Sequence, residues 1–277
     1  MGEIISELGK LGIKSIMFGG EGEPFLNDDL GKMVVAAFYN DIDVAITTNG
    51  VLFTNPYHYL GITKWIKVSV DAGSAKTYAK IHRTSGDDFH SVFKNLEYAV
   101  EIKHKEKYEC TLGVQSLLLN ENKDELINLA KLSQNIGIDY LVIKPYSQHL
   151  SSKNKLSVNL EQIKELAYKL SEFNTNNFKV IFRLNAFNRT KKNYQDCFSL
   201  PFWAYISTVG DVWNCSAMIG NNDIFNLGNI YHHTFKEIWE NHFNSADIEG
   251  CRINCRMDAC NEYLWELKHP SGHVNFI

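Results

Sequence analysis

Long apolar runs are missing from this 277-residue chain: no stretch of roughly 18 uncharged apolar residues occurs, which excludes an ordinary helical membrane span. An excess of positive charge is missing too. Lys and Arg number 28 against 32 Asp and Glu, for a net charge of −4 and a pI near 6.2. No basic field therefore directs the chain to nucleic acid or to an anionic membrane. The first ten residues mix Glu3, Glu7 and Lys10 with apolar residues and lack the apolar core of an export signal, so the cytoplasm is the expected location. Internal repeats and low-complexity tracts are absent. Cysteine is nearly absent from the first two thirds, where Cys110 stands alone, whereas Cys197, Cys215, Cys251, Cys255 and Cys260 crowd the last third. In a long chain without an export signal, that clustering points to metal binding before disulfides.

What is present suits a sizeable core. Apolar residues make up 44% of the chain and charged residues 22%, enough for one large α/β domain and a small appended one. Residues 3–11 place Ile4, Ile5, Leu8 and Leu11 at helical spacing, and residues 14–18 (KSIMF) read as a short buried strand ending in Gly19-Gly20. Further strands are expected at 43–47 (DVAIT), 65–70 (WIKVSV), 110–119 (CTLGVQSLLL), 140–143 and 178–184 (FKVIFRL). Helices are expected at 28–39, 91–102, 123–135 and 159–173. The run at 103–107 (KHKEK) reads as a solvated helix end. This strand–loop–helix rhythm argues for βα units and a parallel sheet, in the form of a partial barrel or an open doubly wound sheet. Near residue 190 the texture changes. Residues 205–216 read as a hairpin turning at Gly210-Asp211, and a helix capped by Thr234 is expected to run to Phe243.

The polar, glycine-rich segments fall just after strands, on the face where parallel sheets hold their ligands. The first is Gly19-Gly20-Glu21-Gly22-Glu23-Pro24. Its glycines let the backbone approach a ligand closely, and Glu21 and Glu23 suit an ammonium or sulfonium group, although an ordinary solvated turn accounts for the same residues. Thr48-Asn49-Gly50 and Ser69-Val70-Asp71 follow at the next two strand ends. Gln115, Lys144, Tyr146, Gln148 and His149 lie at comparable positions, with plain solvation as the equal or better account of each. The late cysteines are separated by 17 and 35 residues and then by C-x3-C-x4-C. Thiolates ligate iron–sulfur clusters, four to a [4Fe–4S] core, and four also satisfy structural zinc.

The order GGEGEP, TTNG, SVDAG, each at a strand end, resembles the radical S-adenosylmethionine (SAM) superfamily. The resemblance implies an α/β fold: a partial (βα)6 TIM-like barrel over residues 1–190, followed at 191–277 by a small cysteine-rich α+β domain of the SPASM or twitch type. It implies that Gly20, Glu21, Gly22 and Glu23 hold the amino group of SAM. Ser69 and Asp71 hold its ribose or carboxylate, Thr48 and Asn49 line the same face, and Arg83 pairs with the carboxylate. It implies an auxiliary [4Fe–4S] cluster on Cys197, Cys215, Cys251 and Cys255, with Cys260 as the reserve ligand. An electron donor such as flavodoxin or ferredoxin is implied, and a substrate that the sequence leaves unidentified among peptides, sugars and small metabolites. No nucleic-acid or membrane partner is expected.

One signature of that superfamily is lacking. No C-x3-C-x2-C motif for the radical-generating cluster occurs, and no cysteine precedes the GGE segment. The helix at 3–11 would match the first barrel helix, so the first strand and its loop are expected to be missing. Two accounts are open: a truncated form of a working enzyme, which the intact helix beside Met1 and the retained downstream sites favour, or a non-catalytic SAM-binding or metal-binding protein that has lost the radical chemistry. In neither case is the chain alone expected to cleave SAM.

Overall fold

The computed structural model describes residues 2–20, 22–146, 159–189, 191–220, 223–249, 251 and 254–273. They divide into two compact units, one formed by the described residues up to Asn188 and the other beginning at Arg189.

In the first unit the chain alternates helix and strand: α1 (Gly2–Lys10), β1 (Ser15–Phe18), α2 (Leu30–Tyr39), β2 (Asp43–Thr48), α3 (Tyr57–Leu60), β3 (Trp65–Ser69), α4 (Ala75–His82), α5 (Gly86–Glu106), β4 (Thr111–Leu118), α6 (Leu126–Ile136), β5 (Tyr140–Pro145), α7 (Leu160–Ser171), β6 (Lys179–Phe182) and α8 (Leu184–Asn188). The six strands pair in parallel in the order in which they occur along the chain. That order decides between the two parallel architectures. A doubly wound sheet reverses its strand order at a switch point, whereas right-handed crossovers that only ever step forward put every helix on one face, as in a barrel. Ile46, Val68, Val114 and Leu141 are fully buried and alternate with half-buried Thr47, Lys67, Gln115 and Tyr140. One face of the sheet thus packs on the helices while the other turns inward. On the inward face Gly113 pairs with Tyr140, and the phenol ring lies so close that a Cβ on Gly113 would fall 2.1 Å from its Cζ. Both edge strands are only four residues long.

Helix α4 has no counterpart in the pattern read from the sequence. It begins at an N-cap, Ser74, whose hydroxyl accepts from the Thr77 N–H, and it ends at Arg83, which adopts the left-handed conformation (φ 55°). Helix α5 begins at Gly86, five residues before the expected start. Of the run expected to be a solvated helix end, His104, Lys105, Glu106 and Lys107 are exposed, and Lys103 alone departs from the expectation. The side chain is 15% exposed, and Nζ lies 2.6 and 2.5 Å from the two carboxylate oxygens of Asp139. Helical periodicity carries position 103 onto the same inward face as Ala99 and Val100, and the run of charges hides it.

The second unit holds small antiparallel elements: β7 (Asp196–Cys197) pairs with β11 (Ala246–Asp247), and β8 (Tyr205–Ile206), β9 (Asp211–Trp213) and β10 (Asn226–Asn229) form a three-stranded sheet. The hairpin turn at Gly210 has φ 86°, which only glycine adopts at low cost. Helix α9 (Phe235–Trp239) starts at Thr234 with a complete capping box to Glu237 but stops before Phe243. Helix α10 (Asp258–Lys268) closes the unit. The core here is Leu200, Trp213, Cys215, Ala217 and Phe225. No helix among the described residues is long and apolar enough to cross a membrane.

Candidate functional site

At the carboxyl ends of β1, β2 and β3 the loops are held by side chains of their neighbours. After β1 the backbone turns through Gly20 (φ 113°) and Gly22 (φ 153°), and nothing lies within 4 Å of where a Gly22 Cβ would stand. The bare backbone there faces open space that a ligand can enter. Glu23 follows, and its carboxylate is a latch. Oε1 accepts the Thr48 hydroxyl at 2.6 Å and the Phe25 N–H at 3.1 Å, while Oε2 accepts the Asn49 N–H at 2.6 Å. Thr48 is 3% exposed, and its Oγ1 in turn accepts the Gly50 N–H at 3.0 Å.

Asp71, just past β3, is a second latch. Its Oδ1 accepts the Leu117 N–H of β4 at 2.6 Å, and its own N–H donates to His82 Nε2 at 3.1 Å. An imidazole nitrogen that accepts carries no proton, so the ring is neutral. Burial explains this, holding His82 below its ordinary pKa and pushing the Asp71 carboxyl above its own. Lys144, at the end of β5, pulls Asp71 the other way. His82 stacks on Tyr78 with centroids 4.1 Å apart. Tyr78 is 1% exposed, and its phenol is pushed up to about 12 by burial and by Asp88, Asp71 and Glu23. Glu23 and Asp71 therefore act on one phenol, from the ends of β1 and β3 on either side of β2. Asn122, fully buried, donates to the carbonyls of Asp71 (3.0 Å) and Leu117 (2.7 Å). Glu125 accepts from Gly73 N, Ser74 Oγ and Thr77 Oγ1 and so fixes the start of α4.

Of the residues singled out in the sequence, Gly20, Gly22, Glu23, Thr48, Asn49, Ser69 and Asp71 stand at three adjacent strand ends, with Ser69 half-buried opposite Gln115. Arg83 is exposed at the far end of α4. Glu21, Gln148 and His149 lie outside the described residues. His82, Asn122 and Glu125 were not singled out; they reach the site across 11 to 52 residues of chain, and nothing in their local sequence marks them.

In the second unit Cys197, Cys215, Cys251 and Cys255 line one cavity together with Lys192, Tyr194, Trp203 and Asn261. Cys260, on α10, does not line it, and none of the six cysteines is in a disulfide. Burial pushes the Cys215 thiol up to about 11, and the neighbouring sulfurs of Cys255, Cys251 and Cys197 add to the shift. Hydrogen-bond donors already point at the sulfurs. Asn261 Nδ2 lies 3.3 Å from Cys197 Sγ, and the Met257 N–H lies 3.5 Å from Cys255 Sγ. The Trp203 indole N–H is buried without an acceptor, which a sulfide-bearing group in the cavity would supply. Among the described residues no three His, Cys, Asp or Glu gather as one bound ion would need. Four thiols that ring a space, with donors behind them, fit an iron–sulfur cluster better than a single zinc ion. Cys110 is elsewhere, buried in the first unit 3.2 Å from the Thr63 hydroxyl.

A singly wound βα sheet with a latched, open strand-end rim, joined to a unit built around four thiols, defines a cofactor-binding protein of the partial-barrel class. The family follows from the sequence matches: residues 1–133 match the radical SAM superfamily, and residues 197–262 match the SPASM iron–sulfur cluster-binding domain. The chain thus carries a radical SAM domain followed by a SPASM domain, and these imply SAM and an iron–sulfur cluster as cofactors. It is similar to a protein of Brachyspira hyodysenteriae named GTPase Obg (31% identical over 58% of this chain and 24% of that protein). It is also similar to a probable GTP 3',8-cyclase of Methanococcus maripaludis (32% identical over 37% of this chain and 34% of that protein). The chain therefore spans only about a quarter to a third of these relatives. The fold resembles that of Streptococcus suis SuiB crystallised with SAM, at a TM-score of 0.65 and 18% identity over 86% of this chain and 57% of SuiB.

Proposed function

We propose that this chain supplies the SAM-holding face and the auxiliary cluster of a radical SAM enzyme. Cys197, Cys215, Cys251 and Cys255 ligate a [4Fe–4S] cluster. The observation that carries the reading is the gathering of these four thiols from distant parts of the sequence around one cavity. Gly20 and Gly22 offer bare backbone to the amino group of SAM, with Glu23 holding the turn in shape. Ser69 and the second oxygen of Asp71 serve the ribose or carboxylate, and Thr48 and Asn49 line the same rim. When bound beside a reducing cluster, SAM supplies a 5′-deoxyadenosyl radical that abstracts hydrogen from a substrate. The residues present do not fit that reducing cluster. Cys110 is the only cysteine before Cys197 and is buried against Thr63, so the three thiolates such a cluster takes are not found in the first unit. Electrons reach the auxiliary cluster from, or leave it to, a small donor such as flavodoxin or ferredoxin.

Anaerobic reconstitution with iron and sulfide tests the cluster, with about four irons and four sulfides per chain expected. Zinc without sulfide would defeat the assignment. Calorimetry with SAM tests the rim, where saturable binding lost in Asp71→Ala is the expected result.

A further inference from the structure

Among the described residues that line the thiol cavity, Lys192 is the only cation. Its side chain is 6% exposed, and burying an ammonium is costly unless each of its three protons finds a partner. Two partners are plain: Nζ lies 2.9 Å from Tyr194 Oη and 3.0 Å from Asp258 Oδ1. The Cys251 thiol shares the cavity wall, where burial pushes its pKa up and the charge of Lys192 draws it down. Tyr194 donates its own hydroxyl hydrogen bond to the same Asp258 oxygen. Behind Asp258, which is 5% exposed, stands Arg189, with Nη1 3.1 Å from Oδ2 and Nη2 3.0 Å from Glu262 Oε1. The four charges form an alternating row whose inner, positive end lines the thiol cavity. A purely structural ion pair between the segment before β7 and the start of α10 has no need to place its cation inside the cavity.

We propose that the Lys192 ammonium sets the reduction potential of the auxiliary cluster, holding it more oxidising than thiolates between apolar walls would be. This rests on the cluster assignment above. The physical reason is charge. Four thiolates around a [4Fe–4S] core carry net negative charge, and taking up one electron adds another unit. A cation on the wall of the thiol cavity stabilises the reduced form more than the oxidised form. The indole N–H of Trp203 and the amide of Asn261 act in the same sense, as dipoles. Asp258 acts against them from the far side of the ammonium. The poise is therefore a balance between Lys192 and Asp258, and substituting either one moves it in a known direction.

The test is a redox titration of the reconstituted chain followed by electron paramagnetic resonance, after iron and sulfide have been counted. In Lys192→Gln, which keeps a donor and removes the charge, the reduced-to-oxidised ratio at fixed potential falls about tenfold, a downward shift of about 59 mV for one electron. In Asp258→Asn the shift is upward. Normal iron and sulfide content with unmoved midpoints in both variants overturns the proposal while the cluster assignment stands. An unsubstituted chain that takes up no sulfide overturns both. Where Lys192→Gln fails to load, Asp258→Asn decides, since a ratio that stays level or falls refutes the balance of charges.

Discussion

If the Glu23 carboxylate organises the rim, its removal has a size that follows from its bonds. It accepts three hydrogen bonds, two of them at 2.6 Å from Thr48 Oγ1 and Asn49 N. Bonds to a charged acceptor contribute about 1.5–3 kcal/mol each, and a donor left buried without a partner costs about 1–3 kcal/mol. The Thr48 hydroxyl is 3% exposed and keeps no substitute acceptor, whereas the amides of Phe25 and Asn49 are only partly buried and recover some loss to water. Glu23→Ala should therefore destabilise the first unit by about 2–4 kcal/mol. Glu23→Gln keeps one carbonyl oxygen for Asn49 N–H and should cost about half as much. Urea unfolding followed by circular dichroism measures the cost, and calorimetry with SAM on the same variants measures the consequence for binding, expected to weaken more than tenfold in Glu23→Ala. A midpoint unchanged by Glu23→Ala would refute the latch. Lost binding at full stability would recast Glu23 as a direct ligand only.

Other consequences can be checked separately. Cys215→Ala should abolish most iron and sulfide uptake, whereas Cys260→Ala, outside the cavity, should leave both counts unchanged; equal losses would place Cys260 among the ligands. Gly113→Ala forces the Tyr140 ring off its seat and should destabilise the sheet by about 1–3 kcal/mol, read as a lower thermal midpoint; an unchanged midpoint would mean that the ring moves freely. His82 is held below its ordinary value of 6.5 by burial, so the unfolded chain takes up this proton first as the pH falls. Stability should then drop as the pH goes down through 6.5 towards the folded value. His82→Gln should narrow the gap in thermal midpoint between about pH 7.5 and about pH 5.5, and an unaltered gap would count against a buried neutral imidazole.

The sheet was legible because each strand is a short apolar run that stops at glycine or a small polar residue, as at Phe18-Gly19 and Thr48-Asn49-Gly50. Strand order and the shared orientation of the helices are not properties of any one segment. They emerge from the handedness of successive crossovers. Helix α4 escaped notice because its eight residues bury little more than Tyr78, too weak an apolar stripe to register. Helix α10 escaped because its inward positions are polar, Asp258 and Asn261, buried to serve Lys192 and Cys197 rather than a hydrophobic seam. The cysteines announced a site by their crowding. The residues that tune it did not, since Lys192 meets Asp258 across 66 residues and no spacing rule joins a lysine to an aspartate at that range.

The strand-end rim is knit in both directions. Glu23 reaches from the first loop to the second, Asp71 from the third strand to the fourth, and Asn122 and Glu125 back from the fourth loop to the third. An arc stitched in this way is stiff before any ligand arrives, so association need not freeze it. Lys144, at the end of the fifth strand, adds its charge to the same arc through Asp71.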